Sequence, residues 1–254
     1  MRRTACTVLL VAALGLVACR EDTSPMGPAD DLTGTVTVLA ATSLTDAVAD
    51  IAEAFETEHG DVDVALTFDG SAKLATAIIE GAPADVFASA DEANLAKVTD
   101  AGLAERAGSA FATNQLQIVV AAGNPLGITG LDDLTGDVVL SLCAVEVPCG
   151  SYAAKAFERA GLAAPAAGQE ENVRGVLSRV QLGEADAGIV YVTDVLAAEG
   201  VEGVDLAADE QVEASYPAAA LTDGPNPEAA AAFVAFLMGE EAQTILADYG
   251  FGPP

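Results

Sequence analysis

The sequence is poor in positive charge, in histidine and in tryptophan. Its 254 residues contain ten Lys and Arg against 39 Asp and Glu, for a formal net charge of −29, and the acids are spread along the chain. Nucleic acid is a poor partner for such a surface, because its binding depends on neutralising phosphates with Lys and Arg. His59 is the only His and there is no Trp. These absences argue against a metal site or a catalytic centre built on His.

Long hydrophobic runs are also scarce, and the one at the start of the chain has the pattern of a targeting segment. Two arginines are followed by the apolar run Thr7–Val17, and small residues precede Cys19. This pattern resembles a bacterial lipoprotein signal, in which residues 1–18 are removed and Cys19 becomes the lipid-modified first residue. An ordinary secretory signal followed by a chance Cys is the alternative.

Residues 19–34 combine Pro, Gly and acids without periodicity, which predicts a flexible tether after the lipidated Cys. The fourteen residues from Arg20 to Thr33 would reach on the order of 20 Å if flexible. No later stretch has the roughly 20 apolar residues that a bilayer span requires. We therefore expect an exported protein of the cell envelope, held by a lipid at the outer face of the cell membrane or free in the periplasm.

From Thr35 onward the hydrophobic pattern alternates between strand and helix periods. This order predicts an α/β fold with parallel sheets and helices on both faces, and the length allows two modest lobes. The predicted strands cover 35–41, 62–68, 84–88, 138–142, 187–192 and 218–221. The first predicted helix starts near residue 43, and six more cover 71–79, 92–101, 153–160, 173–182, 227–238 and 242–247. An apolar run covers 116–122.

Small and hydroxyl residues follow four of the predicted strands, at Ala41-Thr42-Ser43, Asp69-Gly70-Ser71, Ala88–Asp91 and Pro148–Ser151. Parallel sheets bind ligands at the carboxyl ends of their strands, where helix starts expose unpaired N–H groups. Each serine alone is most simply a helix cap. Four such edges together predict a pocket of hydroxyls and backbone donors.

The motifs resemble those of the molybdate-binding proteins of molybdate ABC transporters. The matching segments are Ala40–Ala47, Gly81–Asp91, Asn172–Gly175, Gly188–Tyr191 and Tyr249–Phe251, and they extend across the chain from about Thr35 to Phe251. The resemblance implies the two-lobed periplasmic-binding-protein fold (type II), with a mainly parallel sheet in each lobe and the ligand in the cleft. Lobe one would be 35–113 plus 217–254 and lobe two 114–216, with crossovers at 116–122 and near 215–217.

The resemblance also implies a set of ligand contacts that uses no cofactor and no free metal cation. Ser43 and Ser71 would donate from hydroxyl and backbone, and Ala90 from its backbone. Across the cleft, Cys149 and Val173 would donate from their backbones and Tyr191 from its phenol. The sequence departs from the family at Cys149, where many members have Ala, and around Ser71, where relatives often have a run of serines.

Two other polar features have structural interpretations. Once Cys6 leaves with the signal and Cys19 carries lipid, Cys143 and Cys149 remain, six residues apart in an oxidising setting, and we predict a disulfide between them. It would contribute about 2 kcal/mol by loop entropy and stiffen the loop that carries Cys149. We expect Arg174 to pair with an acid.

The function that the resemblance implies is capture of molybdate, and also tungstate, for delivery to a membrane permease and its ATPase. The protein would act as a monomer, without a chemical step. One alternative is a binding protein for sulfate or another tetrahedral oxyanion. Another is an envelope serine hydrolase; it is disfavoured because His59 would lie about 24 Å from Ser43, at the far end of the helix that starts there.

Overall fold

The computed structural model of the protein describes residues 32–104 and 110–254. The predicted signal segment 1–18, the lipid attachment at Cys19 and the tether up to residue 31 lie outside the described residues. The described part is an α/β fold with two sheets.

Ten strands and eight α-helices occur within residues 32–104 and 110–254. The strands are β1 (Gly34–Ala41), β2 (Val62–Asp69), β3 (Val86–Ala88), β4 (Ala112–Ala121), β5 (Leu140–Cys143), β6 (Gly168–Glu170), β7 (Ala187–Tyr191), β8 (Val201–Asp205), β9 (Glu213–Tyr216) and β10 (Ala218–Ala220). The helices are α1 (Thr45–Glu58), α2 (Ser71–Ile79), α3 (Glu92–Asp100), α4 (Pro148–Arg159), α5 (Val173–Gln181), α6 (Val192–Leu196), α7 (Pro227–Leu237) and α8 (Glu240–Asp248).

The first sheet has the order β10-β3-β1-β2. β1 is parallel to both of its neighbours, β2 and β3, whereas β10 is antiparallel to β3. β1 is central, and Val36, Val38 and Ala40 in it are fully buried. The helix α1 that follows it buries residues at three- and four-residue spacing, from Ala47 to Phe55, against this core.

The second sheet has the order β6-β5-β7-β4-β8. β5 is parallel to β6 and β7, and β4 is antiparallel to β7 and β8. This sheet is therefore mixed. The residues of β7 are all buried, as expected for an inner strand covered on both faces.

The strands β4 and β9 connect the two sheets side by side. Residues 112–115 of β4 pair antiparallel with 213–216 of β9, and 116–120 pair with β7 inside the second sheet. Pro217 then leads from β9 into β10 of the first sheet, where its carbonyl accepts from the N–H of Ser89. The apolar run predicted as a crossover thus lies mostly within the second sheet. The lobe boundaries given above remain a proposal that this strand pairing supports.

The element predictions differ from the structure in four respects. The short helix α6 was not predicted, and its first residue, Val192, was placed in the preceding strand. Helix α4 begins at Pro148 instead of residue 153, because Pro is well suited to the first helical position and lacks only an N–H that would be unpaired there. β6, β8 and β9 were missed; they are short and carry few apolar residues. A 3₁₀ turn, Thr42–Leu44, separates β1 from α1, which starts at Thr45.

In the part of the chain that the structure describes, no single helix has the length and apolar composition of a membrane span. Helices α7 and α8 meet those criteria only when taken together across a 58° bend.

Candidate functional site

The starts of several helices converge on a small cavity between the two sheets. About 190 Å³ of space free of protein atoms lies at this cavity, part of it open to solvent. Its lining residues are Ala41, Thr42, Ser43, Gly70, Ser71, Ala90, Val147, Pro148, Cys149, Asn172, Val173 and Tyr191. All six residues predicted as ligand contacts are in this set, and none of the lining side chains is charged.

Three α-helices direct their N-termini at the cavity. Ser71 is the first residue of α2, and Val173 is the first residue of α5, whose cap residue Asn172 accepts from the N–H of Gly175 at 3.0 Å. Cys149 is the second residue of α4 and the first to carry an N–H, because Pro148 has none. N–H groups of a first helical turn lack intrahelical acceptors and carry partial positive charge. The cavity therefore favours an anion.

The hydroxyls of Ser43 and Ser71 are both buried, and each accepts a hydrogen bond from the protein. Ser43 Oγ accepts from Tyr216 Oη at 3.1 Å, and Ser71 Oγ accepts from the N–H of Ala90 at 3.0 Å. Neither serine makes a side-chain cap hydrogen bond at its helix start, so the interpretation as plain caps is wrong for both. Each hydroxyl retains its own proton, which can be donated into the cavity.

Ala90 lies at the cavity, but its donor is already engaged. The N–H that was predicted to reach a ligand points to Ser71 Oγ at 3.0 Å. Direct donation from Ala90 to an anion stays a prediction, and it requires this N–H to be shared. The contact shows a second role for Ala90, which is to hold the Ser71 hydroxyl in place.

Tyr191 places an unpartnered phenol in the cavity wall. Its side chain is 1% exposed, and Oη has no hydrogen-bond partner among the described residues. Burial raises the pKa of this phenol well above its usual value, so it stays protonated and able to donate. A buried polar group without a partner is costly, and a bound acceptor would relieve that cost.

Behind Tyr191 lies a buried carboxylate that does not line the cavity. Asp194 is fully buried, and its Oδ2 accepts from the backbone N–H of Tyr191 at 3.1 Å. Its Oδ1 lies 3.3 Å from Arg174 Nε, close enough for an ion pair but not aligned as a hydrogen bond. Desolvation raises the pKa of Asp194 to about 6, and the charge of Arg174 opposes this rise.

Arg174 also reaches the first half of the fold, where its Nη2 lies 2.5 Å from Asp46 Oδ2 in α1. The prediction that Arg174 pairs with an acid is confirmed. The guanidinium joins α5 to α1 beside the cavity without entering it.

The two sides of the cavity are in close contact at Gly70. A Cβ at this position would lie 2.2 Å from the carbonyl oxygen of Glu171, in the segment before α5. Lys73 Nζ lies 2.7 Å from Asp69 and 3.7 Å from Glu171, and so connects both sides. Only glycine permits this approach.

Cys143 and Cys149 form a disulfide in the structure, with Cα atoms 5.7 Å apart. The bond ties the end of β5 to the first turn of α4. Both residues are buried. The loop that carries the Cys149 N–H is therefore closed at both ends.

Among the described residues, no His, Asp or Glu makes a hydrogen bond to the Ser43 hydroxyl. The hydroxyl contacts the phenol of Tyr216, and His59 lies at the far end of α1, 3.8 Å from Glu58. Within residues 32–104 and 110–254, no group of His, Cys, Asp and Glu is arranged to hold a metal ion.

Sequence reasoning missed part of the site. Gly70 and Asn172 lie in the predicted motifs but were given no role, and Val147, which also lines the cavity, lies in none of them. Tyr216 and Asn114, which support the cavity from behind, were missed as well. The cap position before α5 could have indicated a role for Asn172. Tyr216 contacts a residue 173 positions away, and no local pattern signals such a contact.

A two-lobed α/β fold with a donor-lined cavity between its sheets defines a binding protein of the periplasmic type. A family model described as bacterial extracellular solute-binding protein matches residues 36–252. The chain belongs to this family.

Individual relatives give a more specific similarity than the family model does. The chain is 38% identical over 252 residues, 98% of its length and 96% of the relative's, to the molybdate-binding protein ModA of Mycobacterium tuberculosis. It is 31% identical over 223 residues, 85% of its length and 86% of the relative's, to YvgL of Bacillus subtilis, by name an ABC transporter substrate-binding lipoprotein.

Solved structures share the fold. The periplasmic molybdate-binding protein of Azotobacter vinelandii superposes with a TM-score of 0.74 at 21% identity, covering 86% of this chain and 99% of that one. The sulfate-binding protein SubI of M. tuberculosis superposes with a TM-score of 0.75 at 21% identity, covering 86% of each. These likenesses confirm the predicted fold class.

Proposed function

We propose that this protein binds molybdate, and also tungstate, in the cavity between its sheets. The observation that carries the proposal is the donor set of the cavity wall. The wall presents two serine hydroxyls that each accept one hydrogen bond and keep a proton to donate, three helix N-termini and the unpartnered Tyr191 phenol, all at one small space. The 38% identity to ModA supports molybdate as the anion.

The chemistry of the anion suits this wall. Molybdate at neutral pH offers only acceptor oxygens, and each needs a donor once water is removed. Hydrogen bonds to a charged acceptor are shorter and stronger than neutral ones. A carboxylate in the wall would repel the dianion, and the lining contains none.

The roles follow the predicted set. Ser43 and Ser71 donate from their hydroxyls and Tyr191 from its phenol. Cys149 and Val173 donate from the backbone at the starts of α4 and α5, and Ala90 shares its N–H with Ser71.

The acidity of the protein does not oppose this function. Its formal net charge is −29, but the field inside the cavity is set by the helix N-termini and the hydroxyl dipoles around it. The surrounding acids act mainly on the rate of association, and salt screens them over about 10 Å.

Delivery is the second part of the proposal. The protein is exported and attached by a lipid at Cys19, as the signal pattern and the lipoprotein name of YvgL suggest. As a monomer it hands the anion to an ABC transporter permease, which is driven by its ATPase. Binding favours the closed arrangement of the two lobes, because the anion contacts donors on both sides.

Calorimetric titration of the mature protein, residues 19–254 with Cys19 replaced by Ser, tests the anion. We expect saturable binding of molybdate and tungstate, and weak or no binding of sulfate and phosphate. Binding of sulfate but not molybdate would overturn the proposal in favour of the sulfate alternative. An ester-hydrolysis activity that is lost in Ser43→Ala would overturn the class.

The lipid is tested separately in cells that carry the full chain. Wild type should partition with membranes and into detergent, and Cys19→Ser should be released into the soluble fraction. A Cys19→Ser variant that stays firmly in the membrane would contradict lipid attachment at this residue.

A further inference from the structure

A chain of buried hydrogen bonds lies behind the cavity and ends at Ser43. Asn114 Nδ2 donates to Thr193 Oγ1 at 2.8 Å and lies 3.4 Å from Tyr216 Oη, which in turn lies 3.1 Å from Ser43 Oγ. All four residues are buried, with Tyr216 fully so. None of the sequence motifs contains Tyr216 or Asn114, and neither residue lines the cavity.

The direction of these bonds is determined at Asn114. Its Oδ1 accepts from the N–H of Gln115 at 2.9 Å, so its Nδ2, a donor only, faces Tyr216. The phenol oxygen therefore accepts from Asn114, and its single proton is left for Ser43. Ser43 Oγ accepts that proton, and its own hydroxyl proton is directed to the cavity.

The position of these hydrogen bonds in the fold is also informative. Asn114 lies in β4 and Tyr216 in β9, the paired strands that connect the two sheets. Thr193 lies in α6 of the second half of the fold, and Ser43 in the turn after β1 of the first. The hydrogen bonds thus join both halves at the strands between them.

We propose that Tyr216, oriented by Asn114, is a positioning residue that fixes the Ser43 hydroxyl so that its proton is directed at a bound oxyanion. The inference rests on the proposed function, because it assumes that an oxyanion binds at Ser43. By donating to Ser43 Oγ, Tyr216 restricts the rotation of the Ser43 hydroxyl and leaves its proton for the ligand.

Removing the Tyr216 hydroxyl should weaken binding. In Tyr216→Phe the Ser43 hydroxyl is no longer held and can rotate its proton away from the ligand. Because Tyr216 acts only through Ser43, we expect molybdate affinity to fall about tenfold, which is less than the loss of a direct hydrogen bond to a charged group can cause.

A double-mutant cycle provides the test. Wild type, Tyr216→Phe, Ser43→Ala and the double variant are titrated calorimetrically with molybdate at one pH and one salt concentration. We expect Tyr216→Phe to weaken molybdate binding about tenfold in the wild-type background and less than twofold in the Ser43→Ala background, because Tyr216 acts through Ser43. Equal losses in both backgrounds, or no loss at all, would overturn the inference.

Tyr249→Phe is the matched control. It removes a phenol hydroxyl that bonds Asp50 at 2.6 Å on the surface, and it should bind molybdate as wild type does. Thermal melts of each anion-free variant report on folding.

If Tyr216→Phe does not fold, Asn114→Asp tests the same series of hydrogen bonds with the tyrosine in place. A carboxylate at this position accepts the phenol proton and draws it away from Ser43, so affinity should fall in the wild-type background and fall less in Ser43→Ala. An equal fall in both would indicate charge repulsion alone and overturn the inference. Failure of wild type to bind any oxyanion would instead overturn the proposed function.

Discussion

At the scale of single residues, the site depends on which oxygen atoms have protons left to donate. Ser43 and Ser71 each accept one hydrogen bond, from Tyr216 and Ala90 respectively, and each keeps a proton to donate. Tyr191 has no partner among the described residues. A bound acceptor would pair these donors, which are costly to leave unpaired in a buried site.

Tyr191→Phe should separate binding from stability. Loss of the phenol removes one donor to the anion, and we expect molybdate affinity to fall about tenfold. The anion-free protein should be as stable as wild type or slightly more stable, because a buried hydroxyl without a partner is removed. Calorimetry and thermal melts measure the two effects, with Tyr249→Phe as the control. A variant that loses stability but binds normally would contradict the role given to Tyr191.

Asp194 gives a pH dependence with a definite sign. Burial raises its pKa from 3.8 to about 6 in the folded protein, so the folded state holds a proton more tightly than the unfolded one. Below about pH 4 both states are protonated and the stabilisation is complete. As pH rises through 6 the charge must be buried, and stability is lost.

The measurement compares denaturant unfolding of wild type and Asp194→Asn from pH 4 to pH 7. Wild type should lose roughly 3 kcal/mol relative to the variant across this window, at about 1.4 kcal/mol per pKa unit. The other acids are common to both proteins, and their effects cancel. Arg174 and Asp46 face this carboxyl and both remain in the variant. Parallel stability curves would show that Asp194 does not titrate in this range.

At the scale of elements, the site consists of three helix N-termini whose positions are set by local features of the chain. Gly70 and Asn172 cap α2 and α5, Pro148 begins α4, and the disulfide fixes the first turn of α4 to β5. These features hold the N–H groups at the cavity in the absence of a ligand. Pre-organised donors lower the cost of ordering on binding.

The disulfide should contribute to stability and to affinity. Replacing both cysteines, as Cys143→Ala with Cys149→Ala, opens the loop and should lower the free energy of unfolding by about 2 kcal/mol. Molybdate affinity should fall several-fold, because the first turn of α4 loses its attachment to β5. Denaturant unfolding and calorimetry test the two effects. An unchanged affinity would show that α4 holds its N-terminus in place without the bond.

The elements that sequence could predict are those whose burial leaves a pattern. β1, α1, α2 and α5 have apolar residues at strand or helix spacing and lie close to their predicted places. β8 and β9 are half-exposed and acidic, and their pairing with β4 is a long-range event with no local signal. The same holds for Tyr216, which reaches Ser43 only through the fold.

The resemblance to molybdate-binding proteins predicted the six cavity residues, whereas the helix-start motifs alone contain four of them. Neither predicted what the donors contact. That Ala90 donates to Ser71, and that Tyr216 donates to Ser43, depends on distances of about 3 Å between separate elements. Residue types and their order can be read from the sequence, but the partner of each hydroxyl depends on the three-dimensional arrangement.

At the scale of the whole molecule, three contacts join the two halves beside the cavity. Arg174 reaches Asp46, Lys73 lies between Asp69 and Glu171, and Gly70 lies against Glu171. The exposed ion pairs among these contribute little each. The close approach at Gly70 is the tighter constraint, since it leaves no room for a side chain.

Gly70→Ala should therefore block the closed arrangement. The added Cβ would lie 2.2 Å from the Glu171 carbonyl, and we expect molybdate affinity to fall more than tenfold while the anion-free protein keeps its fold. Gly60→Ala is the matched control, because a Cβ there meets nothing within 4 Å. Calorimetry gives the affinity, and small-angle scattering with and without molybdate reports compaction. Normal binding and compaction by Gly70→Ala would contradict closure at this contact.

The central claim is that one anion binds among neutral donors between the two halves, and diffraction at the molybdenum absorption edge tests it most directly. Crystals grown with molybdate should show one strong anomalous peak in the cavity, with the hydroxyls of Ser43, Ser71 and Tyr191 at about 3 Å from the anion's oxygens. No peak in the cavity, or a peak held instead by Lys or Arg side chains elsewhere, would contradict the account.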